Sequence, residues 1–140
     1  GRVVAIAPYD LTGKAQTRVQ VVFQGTLSAA MIADVAADVG YLSVDGTGAG
    51  QAYARNADGT LNSVDNPAAH GSAVTVYATG IGSVVAGCAE GGVASGSQAV
   101  GGFQTVQGAV CGMFQTMVQT PTFATSSMTI PNTALTIAVK

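Results

Sequence analysis

The sequence predicts an all-β chain folded as a sandwich. Three observations carry this. Short runs of β-branched and apolar residues recur along the chain, glycine and proline separate them at regular spacing, and the clearest runs have a period of two. The 140 residues suit one domain, or a small domain with an appendage.

Residues 3–7 are a short apolar run that Pro8 ends. Residues 17–23 alternate, with Arg18 and Gln20 on one face and Val19 and Val21 on the other, and Gln24-Gly25 reads as a turn. Residues 28–39 are ambiguous. The spacing of Met31, Val35 and Val39 suits a helix, and strand ranks only slightly ahead. Residues 45–50, DGTGAG, are a loop, and residues 51–56 a strand. Asp58-Gly59 marks a tight turn, and residues 62–71 a long polar connection containing Asn66-Pro67. Residues 72–79, SAVTVYAT, form the clearest strand. Its face with Val74, Val76 and Ala78 is expected to be core, and its face with Ala73, Thr75, Tyr77 and Thr79 to lie outward. Residues 87–112 are glycine-dense, with one strand expected near residues 98–106. Residues 114–119, 127–130 and 134–139 close the chain as strands.

Composition narrows the function. Hydrophobic residues make up 48% and charged residues 9%, against about 25% in ordinary domains. A net charge of −2, with five scattered Lys and Arg, argues against nucleic acid. From residue 66 to residue 139 the only charged side chain is Glu90. Such a surface is either a neutral, hydroxyl-rich face or one covered by other subunits. No membrane span is expected, because glycines and hydroxyls interrupt the charge-free stretch after His70. No signal peptide is visible, and Gly1 is expected to be a processed end or the edge of a longer chain. Two cysteines in a glycine-rich chain suit an oxidising compartment and predict a Cys88–Cys111 disulfide; the other reading is two buried thiols.

Residues 45–82, DGTGAGQAYARNADGTLNSVDNPAAHGSAVTVYATGIG, are the most distinctive segment. They resemble the signature of an uncharacterised immunoglobulin-like C-terminal domain family, found in large secreted acidobacterial proteins of the Solibacter type. The segments 4–13 and 17–28, and the later Phe114-Gln115 strand followed by Pro121, are similar to the family's flanking strands. The resemblance covers most of the chain. It implies an extracellular immunoglobulin-like β-sandwich without known enzymatic activity, and it brings no catalytic, cofactor or metal residues. The chain departs from the pattern twice. Residues 1–38 look like the closing strands of a preceding, partial sandwich, with residues 39–140 as the sandwich proper. The segment around Cys88 and Cys111 replaces the usual middle strands.

No chemistry stands out. His70 is the only histidine and falls in a polar connection, and no nucleophile elbow exists. Gly46, Gly48 and Gly50 match the spacing of a phosphate loop but lack its context and its lysine. Asp34, Asp38, Asp45, Asp58 and Asp65 match no calcium loop and read as solvated turn carboxylates. Tyr9, Tyr41, Tyr53 and Tyr77 are spread along a chain without Trp, so a sugar-stacking platform is not expected. No enzyme activity, cofactor or metal is expected. The function expected is an extracellular subunit that self-assembles into a fibre, filament or surface layer by sharing strands between copies. The donors expected are the chain ends, with Val3, Val4 and Ile6 at one and Leu135, Ile137 and Val139 at the other. The alternative is an adhesion or polysaccharide-binding module of a larger secreted protein, with a surface glycan as partner.

Overall fold

Alternating side chains and a left-handed turn shape the first strands of the computed structural model, which describes residues 3, 7, 9–11, 13–35, 39–82 and 85–140. Strands β1 (Gln16–Val19), β2 (Val22–Phe23), β3 (Thr26–Leu27) and β4 (Met31–Asp34) form one long antiparallel hairpin in two ladders, β1 with β4 and β2 with β3. Gln24 and Gly25, at φ 49° and 79°, make the tip, and this pair of positive φ values suits the twist of the flanking strands. Val19 faces Met31 and Val22 faces Leu27, so Gln20 and Val21 oppose the three residues Ser28, Ala29 and Ala30. That extra residue is a β-bulge, and it splits the single strand expected over residues 17–23. Ser28 stitches the bulge: its Oγ accepts from the Val21 N–H at 3.0 Å and donates to the Ala29 carbonyl at 2.9 Å.

The larger part of the chain is built on β5 (Gly40–Tyr41), β6 (Ala49–Gln51), β7 (Ala54–Arg55), β8 (Ala73–Thr79), β9 (Ala99–Val100), β10 (Phe103–Thr105), β11 (Phe114–Gln119), β12 (Ser127–Thr129) and β13 (Ala134–Ala138). One sheet runs β5-β8-β11-β10-β9, with β7 also paired to β8, and the other runs β12-β13-β6. The longest ladder joins β8 to β11, from Ala73 opposite Gln119 to Ala78 opposite Phe114. β6 runs parallel to β13, and the named pairings within the first sheet are antiparallel. The strand expected over residues 98–106 is two strands, because Gly101 and Gly102 at φ 54° and 85° fold it into a hairpin. No α-helix occurs among the described residues, and no helix there is long and apolar enough to cross a membrane.

The two sheets face each other across one core, a sandwich-like arrangement. Ala54, Val74 and Val76 meet Ala52, Ile130, Leu135, Ile137 and Val139 there, with Val118 and Met128 packed at its margin. A second, smaller cluster gathers Val85, Ala94 and Phe114 around the Cys88–Cys111 disulfide, both of whose cysteines are buried. Among the described residues, none before Ser43 is buried.

Leu135, Ile137 and Val139 were expected in a strand free to reach outward, and the structure places them differently. All three are buried in the chain's own core, and β13 is hydrogen-bonded to β12 on one side and β6 on the other. A strand paired on both edges has no free ladder to donate. Val3 is exposed, while Val4 and Ile6 lie outside the described residues.

Candidate binding groove

The first wall of the groove starts beside β8. Gly40 and Tyr41 pair with Thr79 and Ala78, and the Leu42 N–H donates to the Tyr77 carbonyl at 2.9 Å. The chain then leaves the sheet as an arm. The Val44 N–H donates to the Gln51 carbonyl at 2.9 Å, and the Tyr53 N–H brings the chain back to Leu42 at 2.8 Å. Beyond the arm, Ala54 and Arg55 resume pairing with β8.

The arm's tip is residues 45–48. The Asp45 carboxylate accepts from the Thr47 N–H at 3.0 Å, the Thr47 hydroxyl at 2.8 Å and the Ser43 hydroxyl at 2.9 Å. These bonds, the Thr47 backbone N–H first, hold the Asp45 carboxyl below the ordinary carboxylate range. The Gly48 N–H is taken by the Ser43 Oγ at 2.9 Å. The amides of Thr47 and Gly48 are therefore spent on the loop itself, around a carboxylate, which is the opposite of a phosphate cradle.

Alternation along β7 and β8 puts Tyr53, Arg55, Tyr77 and Thr79 on the sheet face opposite the valine core. The Tyr53 and Tyr77 rings lie 5.4 Å apart and tilted by 52°. This covers Tyr77, which is only 9% exposed although its strand position pointed outward. Tyr41 lies on the core side, 6.2 Å from Phe103. The far wall is Val106 and Met113, which flank the loop containing Cys111 and are joined by the Val106 N–H to the Met113 carbonyl. Between these walls lies an open, largely apolar groove of about 750 Å³. Among the described residues its one charged lining residue, Arg55, is turned to the Gly59 carbonyl at 2.6 Å. None of the lining comes from the hairpin β1–β4.

The structure thus brings Tyr53 and Tyr77 into contact, which their separation in sequence hides, and Tyr41 lines the same groove from the core side. His70 stands elsewhere, three residues before β8, where its Nε2 meets the backbone of Thr125 at 3.0 and 3.2 Å. Asp58 is occupied by its own turn: its carboxylate accepts from the Thr60 hydroxyl at 2.6 Å and the Thr60 N–H at 2.9 Å, the hydroxyl bond contributing most to its lowered pKa. Among the described residues no three His, Cys, Asp or Glu side chains cluster as metal ligands would.

Sequence reasoning missed Asn62, which sits in the expected polar connection yet is wholly buried. Its amide nitrogen donates to the Asn56 Oδ1 and the Ala138 carbonyl, both at 2.9 Å, and its Oδ1 accepts from Gln51 and from the Ala138 N–H, both at 2.9 Å. Asn62 therefore pairs with β13 as a strand residue would. Asn56 and Asn66 tie the rest of the loop together, so the distinctive 56–66 segment is a fold-closing device. Comparison with protein families, curated proteins and solved structures finds no match to this chain.

Proposed function

We propose that this chain is an extracellular, immunoglobulin-like structural subunit that assembles with copies of itself. The observation that carries the reading is the hairpin β1–β4. Val22, Phe23, Leu27, Met31 and Ile32 are each at least 60% exposed on it. A two-stranded hairpin is marginal on its own in water, and exposed apolar side chains on both of its faces favour a contact with another macromolecule. Residues 19–33 carry no charge, and residues 66–139 carry only Glu90. Two such surfaces meet without burying an unpaired charge, and a second copy brings both. The buried disulfide supports an oxidising, extracellular setting. The facing sheets and the resemblance over residues 45–82 support the immunoglobulin-like assignment. With β13 buried, the hairpin replaces the C-terminal strand as the element offered to a neighbour.

Sedimentation velocity over a concentration series tests this. The wild type is expected to associate with rising concentration, and a Phe23→Asp, Leu27→Asp variant to remain monomeric. A wild type that stays monomeric throughout overturns the reading. A polysaccharide-binding or adhesion module is the second reading, favoured by the tyrosine-lined groove, and glycan-array binding by the monomer is its measurement.

A further inference from the structure

We propose that the hairpin tip of one copy, with Phe23 foremost, seats in the tyrosine-lined groove of the next copy; this rests on the self-assembly reading above. The two surfaces match in chemistry. The tip is a left-handed turn at Gln24 and Gly25 flanked by Val22, Phe23 and Leu27, with Phe23 71% exposed. The groove is largely apolar, walled by Tyr53, Tyr77, Val106 and Met113, and among the described residues its one cation, Arg55, is turned to the Gly59 carbonyl. The tip brings no charge, and the Arg55 guanidinium in the groove keeps its hydrogen bond to the Gly59 carbonyl. Size matches too: about 750 Å³ is within the range of cavities that enclose small ligands and has room for the side chains of a hairpin tip. An aromatic ring is the side chain that contributes most area to such a contact, and an aromatic pair adds directional preference with Tyr53, whose ring covers Tyr77. A sugar fits less well. The Tyr77 ring is covered by Tyr53, and the opposite wall is aliphatic and thioether rather than hydrogen-bonding.

The contact joins different surfaces of the two copies. It is heterologous, and repeated without closure it generates a filament. Each copy has one knob and one socket.

Two lesions on separate copies test this. Phe23→Asp removes the knob and leaves the socket. Met113→Asp spoils the socket and leaves the knob, and Thr79→Arg, at an exposed lining position, is a second socket lesion that leaves the core untouched. Each variant alone is expected to sediment as a monomer. Mixed in equal amounts, a knob variant and a socket variant are expected to form a heterodimer and nothing larger, because one intact knob and one intact socket remain. Failure of the mixture to pair overturns the heterologous contact. If the wild type polymerises and both socket variants polymerise equally, the groove is not the receptor, while self-assembly stands. If the wild type is monomeric at every concentration, the assembly reading itself fails. An oligosaccharide that binds the wild type, and whose binding Thr79→Arg abolishes while assembly continues, gives the groove to a glycan and overturns the proposal.

Discussion

Asn62 shows how much one polar residue can decide. With no exposed surface and both donors and both acceptors used, it replaces a missing rung of the ladder beside Ala138. Asn62→Ala leaves the Ala138 N–H without this partner, while the Ala138 carbonyl keeps the Ala68 N–H, and the expected loss is about 2 kcal/mol, read from urea denaturation. Asn62→Asp keeps acceptors, loses both donors and buries a charge, so its urea midpoint is expected to fall below that of the alanine variant. The turn carboxylates add a pH dependence. Asp45 and Asp58 hold protons less tightly when folded, because Thr47 and Thr60 hydrogen-bond their ionised forms. Their contribution is full above the unfolded carboxylate value and is lost as pH falls through the lowered folded value. The stability difference between wild type and an Asp45→Asn, Asp58→Asn variant is therefore expected to narrow from about pH 6 to about pH 3. A difference that stays constant over that span contradicts this account. Asp58-Gly59 was legible as a turn because its chemistry is local. Asn62 was not, because its partner is 76 residues away.

At the scale of elements, β8 divides its work between two faces. Val74, Val76 and Ala78 are buried in the sandwich, as period-two alternation predicts. Val76→Asp is expected to prevent folding, since its carboxylate meets no partner in that core. Tyr77 was expected outward and tolerant, yet Tyr53 covers it. Tyr77→Ala is therefore expected to cost about 3 kcal/mol by thermal or chemical denaturation. A loss under about 1 kcal/mol would mean that the Tyr53–Tyr77 contact contributes little. The hairpin is the contrasting element. Its two ladders pair on either side of the bulge, but none of its side chains is buried, so it opens locally without disturbing the core. Amide exchange of Ser28 and Val35, which donate to Val21 and Ala15, is expected to be fast in dilute protein. On assembly it is expected to slow, while β8 and β11 stay protected in both states. Equal protection of hairpin and core in the monomer argues against an unsupported hairpin.

At the scale of the whole molecule, two clusters share the stabilising burial, and only one carries a covalent link. The disulfide closes a separation of 23 residues through a segment dense in glycine, whose backbone loses much freedom on folding. Reduction is expected to cost about 3 kcal/mol, or about 10 °C in Tm. The loss is expected to fall first on the cluster around Val85, Ala94 and Phe114, while the sandwich core persists. Exchange or near-ultraviolet dichroism on reduced protein distinguishes this from uniform loss. Because Val106 and Met113 flank Cys111, reduction is also expected to loosen the groove wall and weaken assembly.

The sequence by itself determined the all-β class, the turn at Gln24-Gly25, the valine face of β8 and the terminal strands. Each is written within a few residues, as alternation, β-branching or turn chemistry. It also marked Cys88 and Cys111 as a pair, since two cysteines leave one pairing. Only the tertiary structure decided that Leu135, Ile137 and Val139 are core, that residues 98–106 bend at two glycines, that Tyr41, Tyr53 and Tyr77 line one groove, and that the hairpin leaves Val22, Phe23, Leu27, Met31 and Ile32 exposed. A strand reads the same in sequence whether its edges are paired or free. The physical reason is range: which edges are covered depends on partners such as Gly50 for Leu135, 85 positions away along the chain.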